Sequence, residues 1–70
     1  MQIYEGNYKD VMNKTVFLRE GKNYYPCIVT NFYFKEKKYA LVPIEDIERY
    51  PAYEQASNRR VFYKSRIYVQ

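Results

Sequence analysis

The run Tyr24-Tyr25-Pro26-Cys27-Ile28-Val29-Thr30-Asn31-Phe32-Tyr33-Phe34, then the charged Lys35-Glu36-Lys37-Lys38, then Tyr39-Ala40-Leu41-Val42-Pro43-Ile44 decides the fold. β-Branched and aromatic residues fill both arms, and such residues suit a pleated, half-buried surface. The wholly charged segment between the arms lacks glycine, which favours a loop of about four residues around a type I turn over a two-residue turn. Strand alternation places Cys27, Val29, Asn31 and Tyr33 on one face of the first arm and Ile28, Thr30, Phe32 and Phe34 on the other. Neither face is polar, so the strand is central or strongly curved. Pro26 has no N–H to give, which assigns it to an edge or a bulge near the strand start, as in a strand bending around a small barrel.

Working outward toward the N-terminus, Thr15-Val16-Phe17-Leu18-Arg19 reads as a strand ended by Glu20-Gly21-Lys22-Asn23, whose glycine supplies the positive φ of a tight connection. Residues 2–5 form an edge strand, Gly6-Asn7 marks a turn, and 9–13 is a loop or one helical turn with Asp10 as its cap. Toward the C-terminus, Pro43 opens a short helix. Ile44, Ile47 and Tyr50 recur there at helical spacing, and Pro51 ends it. Residues 52–58 then lead as a loop or second helical turn into a last strand over 60–69. In that strand Val61, Tyr63, Ser65, Ile67 and Val69 form an apolar side, and Arg60, Phe62, Lys64, Arg66 and Tyr68 a basic and aromatic side. The expected architecture is mainly β: a small antiparallel SH3-like barrel of about five strands with one short helix. An open α+β sheet is the alternative. Turn signals recur at short spacing without a linker or repeat, so residues 1–70 form one domain.

A chain of 70 residues buries only about 60% of the surface it exposes when unfolded. One cysteine and no histidine provide neither a disulfide framework nor a zinc site within one chain. Lone Cys27, set in an apolar run, reads as a small buried hydrophobe in a reducing, cytoplasmic setting. No apolar run approaches the roughly 20 residues that span a bilayer. Ten tyrosines and four phenylalanines supply the burial, but a domain this small cannot inter them all. Some therefore lie on the surface, where tyrosine is enriched in binding sites, or are covered by a second copy in a homodimer.

The catalytic inventory is thin. There is no histidine base, and the two glycines, Gly6 and Gly21, cannot form a phosphate-cradling loop or dinucleotide fingerprint. Glu45, Asp46 and Glu48, with Glu54, are the main acidic group; at consecutive positions of a helix their side chains diverge, and an exposed first turn accounts for them without a metal. No cofactor is expected. Charge is uneven within the net +4: residues 44–56 carry −3 and residues 57–70 carry +4. Arg59, Arg60, Lys64 and Arg66, interleaved with Phe62 and Tyr68, combine cations with stacking rings, the pairing that holds phosphates and unstacked bases. A solvent-facing strand also carries such cations to discourage edge pairing, and an acidic protein surface would suit the same face.

Gly21-Lys22-Asn23-Tyr24-Tyr25-Pro26-Cys27-Ile28-Val29-Thr30-Asn31, with Tyr39-Ala40-Leu41-Val42-Pro43-Ile44, resembles the central strands of PemK/MazF-type toxins. The resemblance covers about a third of the chain and implies an SH3-like barrel. It does not carry over the ribonuclease activity. Tyr25 stands where that family has a catalytic arginine before the proline, and Glu45 stands where it has a threonine after the Pro-Ile step. The expected function is a non-catalytic binding module for nucleic acid. A small inhibitor of the phage or mobile-element kind that covers a host protein is the alternative, and an RNA-cleaving toxin-like protein the third reading.

Overall fold

A computed structural model describes residues 1–45 and 60–70. It contains six strands: β1 (Gln2–Ile3), β2 (Thr15–Glu20), β3 (Asn23–Tyr33), β4 (Lys38–Pro43), β5 (Arg60–Tyr63) and β6 (Ile67–Val69). They form one antiparallel sheet in the order β1-β6-β2-β3-β4-β5. Its two edges, β1 and β5, do not pair with each other, so the sheet is open rather than a closed barrel. The expected helix over 43–50 and the segment 52–58 lie almost wholly outside the described residues.

The sheet nevertheless has to curl. β5 and β6 are joined only by a 3₁₀ turn, Lys64–Arg66, yet β2, β3 and β4 stand between them. Four inter-strand spacings on a flat sheet amount to about 19 Å. The four steps from Tyr63 to Ile67 reach at most about 14 Å when extended, and a 3₁₀ turn is shorter still. Curling brings the two ends together and encloses the core. Val11, Val16, Leu18, Cys27, Val29, Tyr39, Leu41 and Ile67 form that core, with Tyr4, Tyr8, Met12, Phe32, Phe62 and Val69 packed against it. Ile67 is fully buried, which contributes roughly 1.5–3 kcal/mol by area alone. Cys27 is buried as expected, its Sγ 3.4 Å from the Tyr25 carbonyl.

Local chemistry sets the registers. Glu20 pairs with Asn23 around Gly21 and Lys22. Gly21 has φ +62° while Lys22 is not in the left-handed region, the pattern of a type II′ turn, whose twist matches that of the strands it joins. Counting outward, hydrogen-bonded pairs alternate with non-bonded ones, and Pro26 opposite Phe17 falls on a non-bonded pair. The proline therefore sits in regular register, and of the two settings expected for it, an edge or a bulge, it takes the edge. Its missing N–H costs β2 nothing, and the β4 ladder begins only at Cys27.

The bulge lies four residues later. Val29 pairs with Leu41 and Asn31 with Ala40, leaving Thr30 as the extra residue. One inserted residue reverses the parity of a strand. Beyond it, Phe32 turns to the side of Cys27 and Val29 and packs on the core, correcting the face assignment made from strict alternation. The four-residue loop 34–37 follows, closed by a bond of 2.8 Å from the Lys37 amide to the Tyr33 carbonyl, with Lys37 at φ +59°. At the other end of β2, Asn13 (φ +62°) and Lys14 together face Val29, which accepts from the Asn13 amide and donates to the Lys14 carbonyl. Asparagine takes here the left-handed position that glycine usually fills.

An added Cβ at Gly21 meets nothing within 4 Å, so Gly21→Ala tests the backbone alone. It is expected to lower stability by about 1 kcal/mol, seen as a lower urea midpoint with unchanged slope.

Candidate binding surface

The expected last strand over 60–69 is two strands on opposite sides of the sheet, separated by the Lys64–Arg66 turn. That division redistributes the anticipated residues. On β5 the expected faces are exchanged: Phe62 packs toward the core opposite Tyr39, while Val61 and Tyr63 are exposed at 43% and 57%. Arg60, opposite Leu41, is exposed at the start of β5. Lys64 and Arg66 lie in the turn and Tyr68 on β6. Arg59 lies outside the described residues. On β6 the expectation holds, with Ile67 and Val69 inward.

Curling gathers part of this set around Arg66. Its guanidinium carbon lies 5.2 Å from the centroid of the Phe62 ring, and its Nε donates to the Arg19 carbonyl at 3.1 Å. That carbonyl is available because Arg19 stands one residue past the last β2–β6 pair, Leu18 with Ile67. Arg19 in turn donates from Nη1 to the Tyr68 hydroxyl at 3.0 Å and from Nε to the Gly21 carbonyl at 3.0 Å. Tyr68 meets Tyr24 edge to face, with centroids 5.3 Å apart. Phe62, Arg66, Arg19, Tyr68 and Tyr24 thus form one continuous chain of rings and cations. The Arg19 guanidinium is held above its ordinary value first by the Tyr68 hydrogen bond, then by the electrostatics of Tyr68 and Tyr24.

The register extends this surface on the side away from the core. Ile3, Tyr68, Phe17 and Pro26 are successive cross-strand neighbours over β1, β6, β2 and β3. Ile3 is 41% and Tyr24 38% exposed. The result is an apolar and aromatic face that carries Arg19, with Arg66 at its margin.

Two members were missed in the sequence, Arg19 and Tyr24. A signal for them existed: a two-residue turn at Gly21 and Lys22 makes Arg19 and Tyr24 direct partners. Lys64 goes elsewhere, its ammonium 5.6 Å from the centroid of the Tyr4 ring. Of the acidic group, only Glu45 is described, and it is exposed. Among the described residues no cluster of three or more metal-ligating side chains occurs, and no helix is long and apolar enough to cross a membrane.

A row of rings also crosses the inner side of the sheet. Phe32, Tyr39 and Phe62 are successive partners on β3, β4 and β5, with Phe32 and Tyr39 centroids 4.8 Å apart. Burial comes first in raising the Tyr39 phenol above its usual value, and Tyr4 adds to it. No protein-family model, curated protein or solved structure matches the chain.

The Tyr39 shift has a signed consequence. A folded-state value above the unfolded one means that the native state holds its proton longer. Its stabilisation is complete below the unfolded value near 10 and is lost as pH rises through the folded value. Tyr39→Phe is therefore expected to flatten the alkaline limb of a stability-against-pH curve measured by urea unfolding, leaving the neutral region little changed.

Proposed function

We propose that this chain is a non-catalytic binding module that holds single-stranded nucleic acid on the surface built from Arg19, Tyr24, Arg66 and Tyr68, with the core-packed Phe62 ring seating Arg66. The observation that carries the reading is the position of Arg66, which joins the Phe62 ring to Arg19 and hence to Tyr68 and Tyr24. Guanidinium groups neutralise phosphates, and exposed rings stack on bases regardless of their identity. Both are needed for binding that follows a strand without reading its sequence. The finer fold belongs to the same proposal. An SH3-like arrangement is supported by the short hand-over from β5 to β6 across a curled sheet, and by the sequence resemblance in β3 and β4.

A second reading, a small inhibitor that covers a host protein, is favoured by the apolar row Ile3, Tyr68, Phe17 and Pro26. Tyrosine beside exposed aliphatic area is common at the centre of protein interfaces. Retention of a lysate protein by the wild type but not by a Tyr24→Ser, Tyr68→Ser double variant, with no nucleic-acid probe shifted, would favour it. The RNA-cleaving reading has less support, because exposed Tyr25 and Glu45 stand where the resembled family keeps an arginine and a threonine. Long single-stranded RNA incubated with the protein is expected to remain intact on a denaturing gel; site-selective cleavage would restore that reading.

The nucleic-acid reading makes a quantitative prediction. Removing two phosphate contacts with Arg19→Ala and Arg66→Ala is expected to flatten the slope of log affinity against log salt by about 1.4, at about 0.7 per contact on a single strand. Fluorescence anisotropy with labelled decathymidylate measures it. Arg60→Ala, at the exposed start of the edge strand β5, serves as the comparison and is expected to leave the slope nearly unchanged. An unaltered slope in the double variant refutes the assignment.

A further inference from the structure

A second feature lies beside the Lys64–Arg66 turn and is not accounted for by the surface just described. A cavity of about 340 Å³ opens between the N-terminal turn and the β3–β4 loop; Tyr8, Phe32, Phe34, Tyr39, Lys37 and Lys64 line it. Its volume is at the small end of the roughly 300–1,000 Å³ typical of small-molecule sites. Four of these linings are rings in mutual contact. Tyr8 stacks on Phe32 at 4.7 Å and 12°, and Phe34 meets both edge to face, at 5.0 and 5.1 Å. Phe34 is nonetheless 61% exposed, so part of its ring area remains available. The wall on the N-terminal side is tightly built. A Cβ on Gly6 would stand 2.5 Å from the Tyr4 hydroxyl, and that hydroxyl donates to the Asn7 carbonyl.

The two ionic groups in the lining are both lysines, and one of them is held in a conformation that opposes stability. Lys37 has φ +59°, a region that costs an L-residue of this kind about 1–2 kcal/mol and that glycine enters freely. Strained positions of this sort concentrate at binding sites. A loop selected for stability alone would carry glycine at 37. Retaining lysine there keeps an ammonium at the cavity. The partner chemistry that meets exposed ring area and two cations together is a planar ring bearing a negatively charged group.

We infer that this cavity takes one unstacked nucleotide, its base against Phe34 and its phosphate met by Lys37 and Lys64. The inference rests on the nucleic-acid reading for its ligand class and deepens it. Lys64, which lines the cavity, and Arg66, at the margin of the arginine surface, belong to one three-residue turn. An acidic peptide with an aromatic side chain is the competing occupant. It is disfavoured by the number of cations close together in the chain, Lys64 at the cavity and Arg66 two residues on in the same turn, since phosphates recur along a strand whereas a peptide of that kind has one or two charges.

The test uses the intact chain with two probes, 5′-phosphorylated decathymidylate and free thymidine 5′-monophosphate, and two variants, Lys37→Gly and Phe34→Ser. Each variant is expected to weaken decathymidylate binding by about fivefold or more. Lys37→Gly should at the same time raise Tm by roughly 4 °C, so lost affinity with gained stability separates a ligand role from a structural one. In the wild type, ring resonances of Tyr8 and Phe34 should move on titration. A saturable response to the mononucleotide alone supports the cavity as a free-nucleotide site, and a response to the decamer alone supports it as a strand site. Unchanged affinity in both variants, with binding weakened in the Arg19→Ala, Arg66→Ala protein, overturns the cavity assignment and leaves the arginine surface standing. Loss in the cavity variants alone does the reverse. Resonances that move with an acidic aromatic peptide and with neither nucleotide also overturn it, and a wild type that binds neither probe overturns both assignments.

Discussion

Three residues, Lys64 to Arg66, carry the chain from one side of the sheet to the other, and their short reach constrains everything around them. Because β5 and β6 cannot lie far apart, the sheet between them is bent, and the bend encloses the core. The constraint acts on chemistry as well as packing. It delivers Arg66 to a place where its guanidinium touches a ring from one edge region of the sheet and a backbone carbonyl from the other. A flat sheet of the same strands would leave those groups on opposite sides of the molecule.

The side chains that make this bend workable differ in kind on the two faces. Inward, small aliphatic residues such as Val16, Val29 and Leu41 fill the concave side, with rings toward one end of it. Outward, rings and long cations cover the convex side, where spreading positions leave room for Tyr24 and Tyr68 to meet edge to face. β4 is buried on both faces, Tyr39 and Leu41 on one and Ala40 and Val42 on the other. That matches its place between β3 and β5, and marks it as scaffold.

The legible parts of the sequence were those specified by local chemistry. Gly21 fixed a tight turn and hence the β2–β3 register, and the charged, glycine-free run after Phe34 implied a longer loop. What could not be read is instructive in physical terms. The parity change at Thr30 had one marker, Asn31, which strict alternation places on the face of Cys27 and Val29 and which the bulge leaves exposed instead. A single polar residue amid apolar neighbours on both faces did not by itself locate the break. The division of residues 60–69 is hidden for a related reason: alternation continues in the letters through a 3₁₀ turn where it has no structural meaning. Pro26 pointed to an edge or a bulge without choosing between them; it lies at a non-bonded position of the β2 ladder, where β4 does not yet reach. The candidate surface was accordingly half visible, through Arg66, Phe62 and Tyr68, while Arg19 and Tyr24 required the hairpin register to be carried one step further.

The joining of Arg19 to Tyr68 spans 49 positions of sequence, and this gives the surface a place in time. The β2–β3 and β3–β4 hairpins close through short loops and are kinetically cheap, whereas pairing β6 with β2 must wait for a long loop to close. The ring-and-cation surface is therefore among the last features to form during folding and among the first to dissolve when the sheet opens locally at β6. Anything bound there draws its affinity from that late pairing and in return holds it shut.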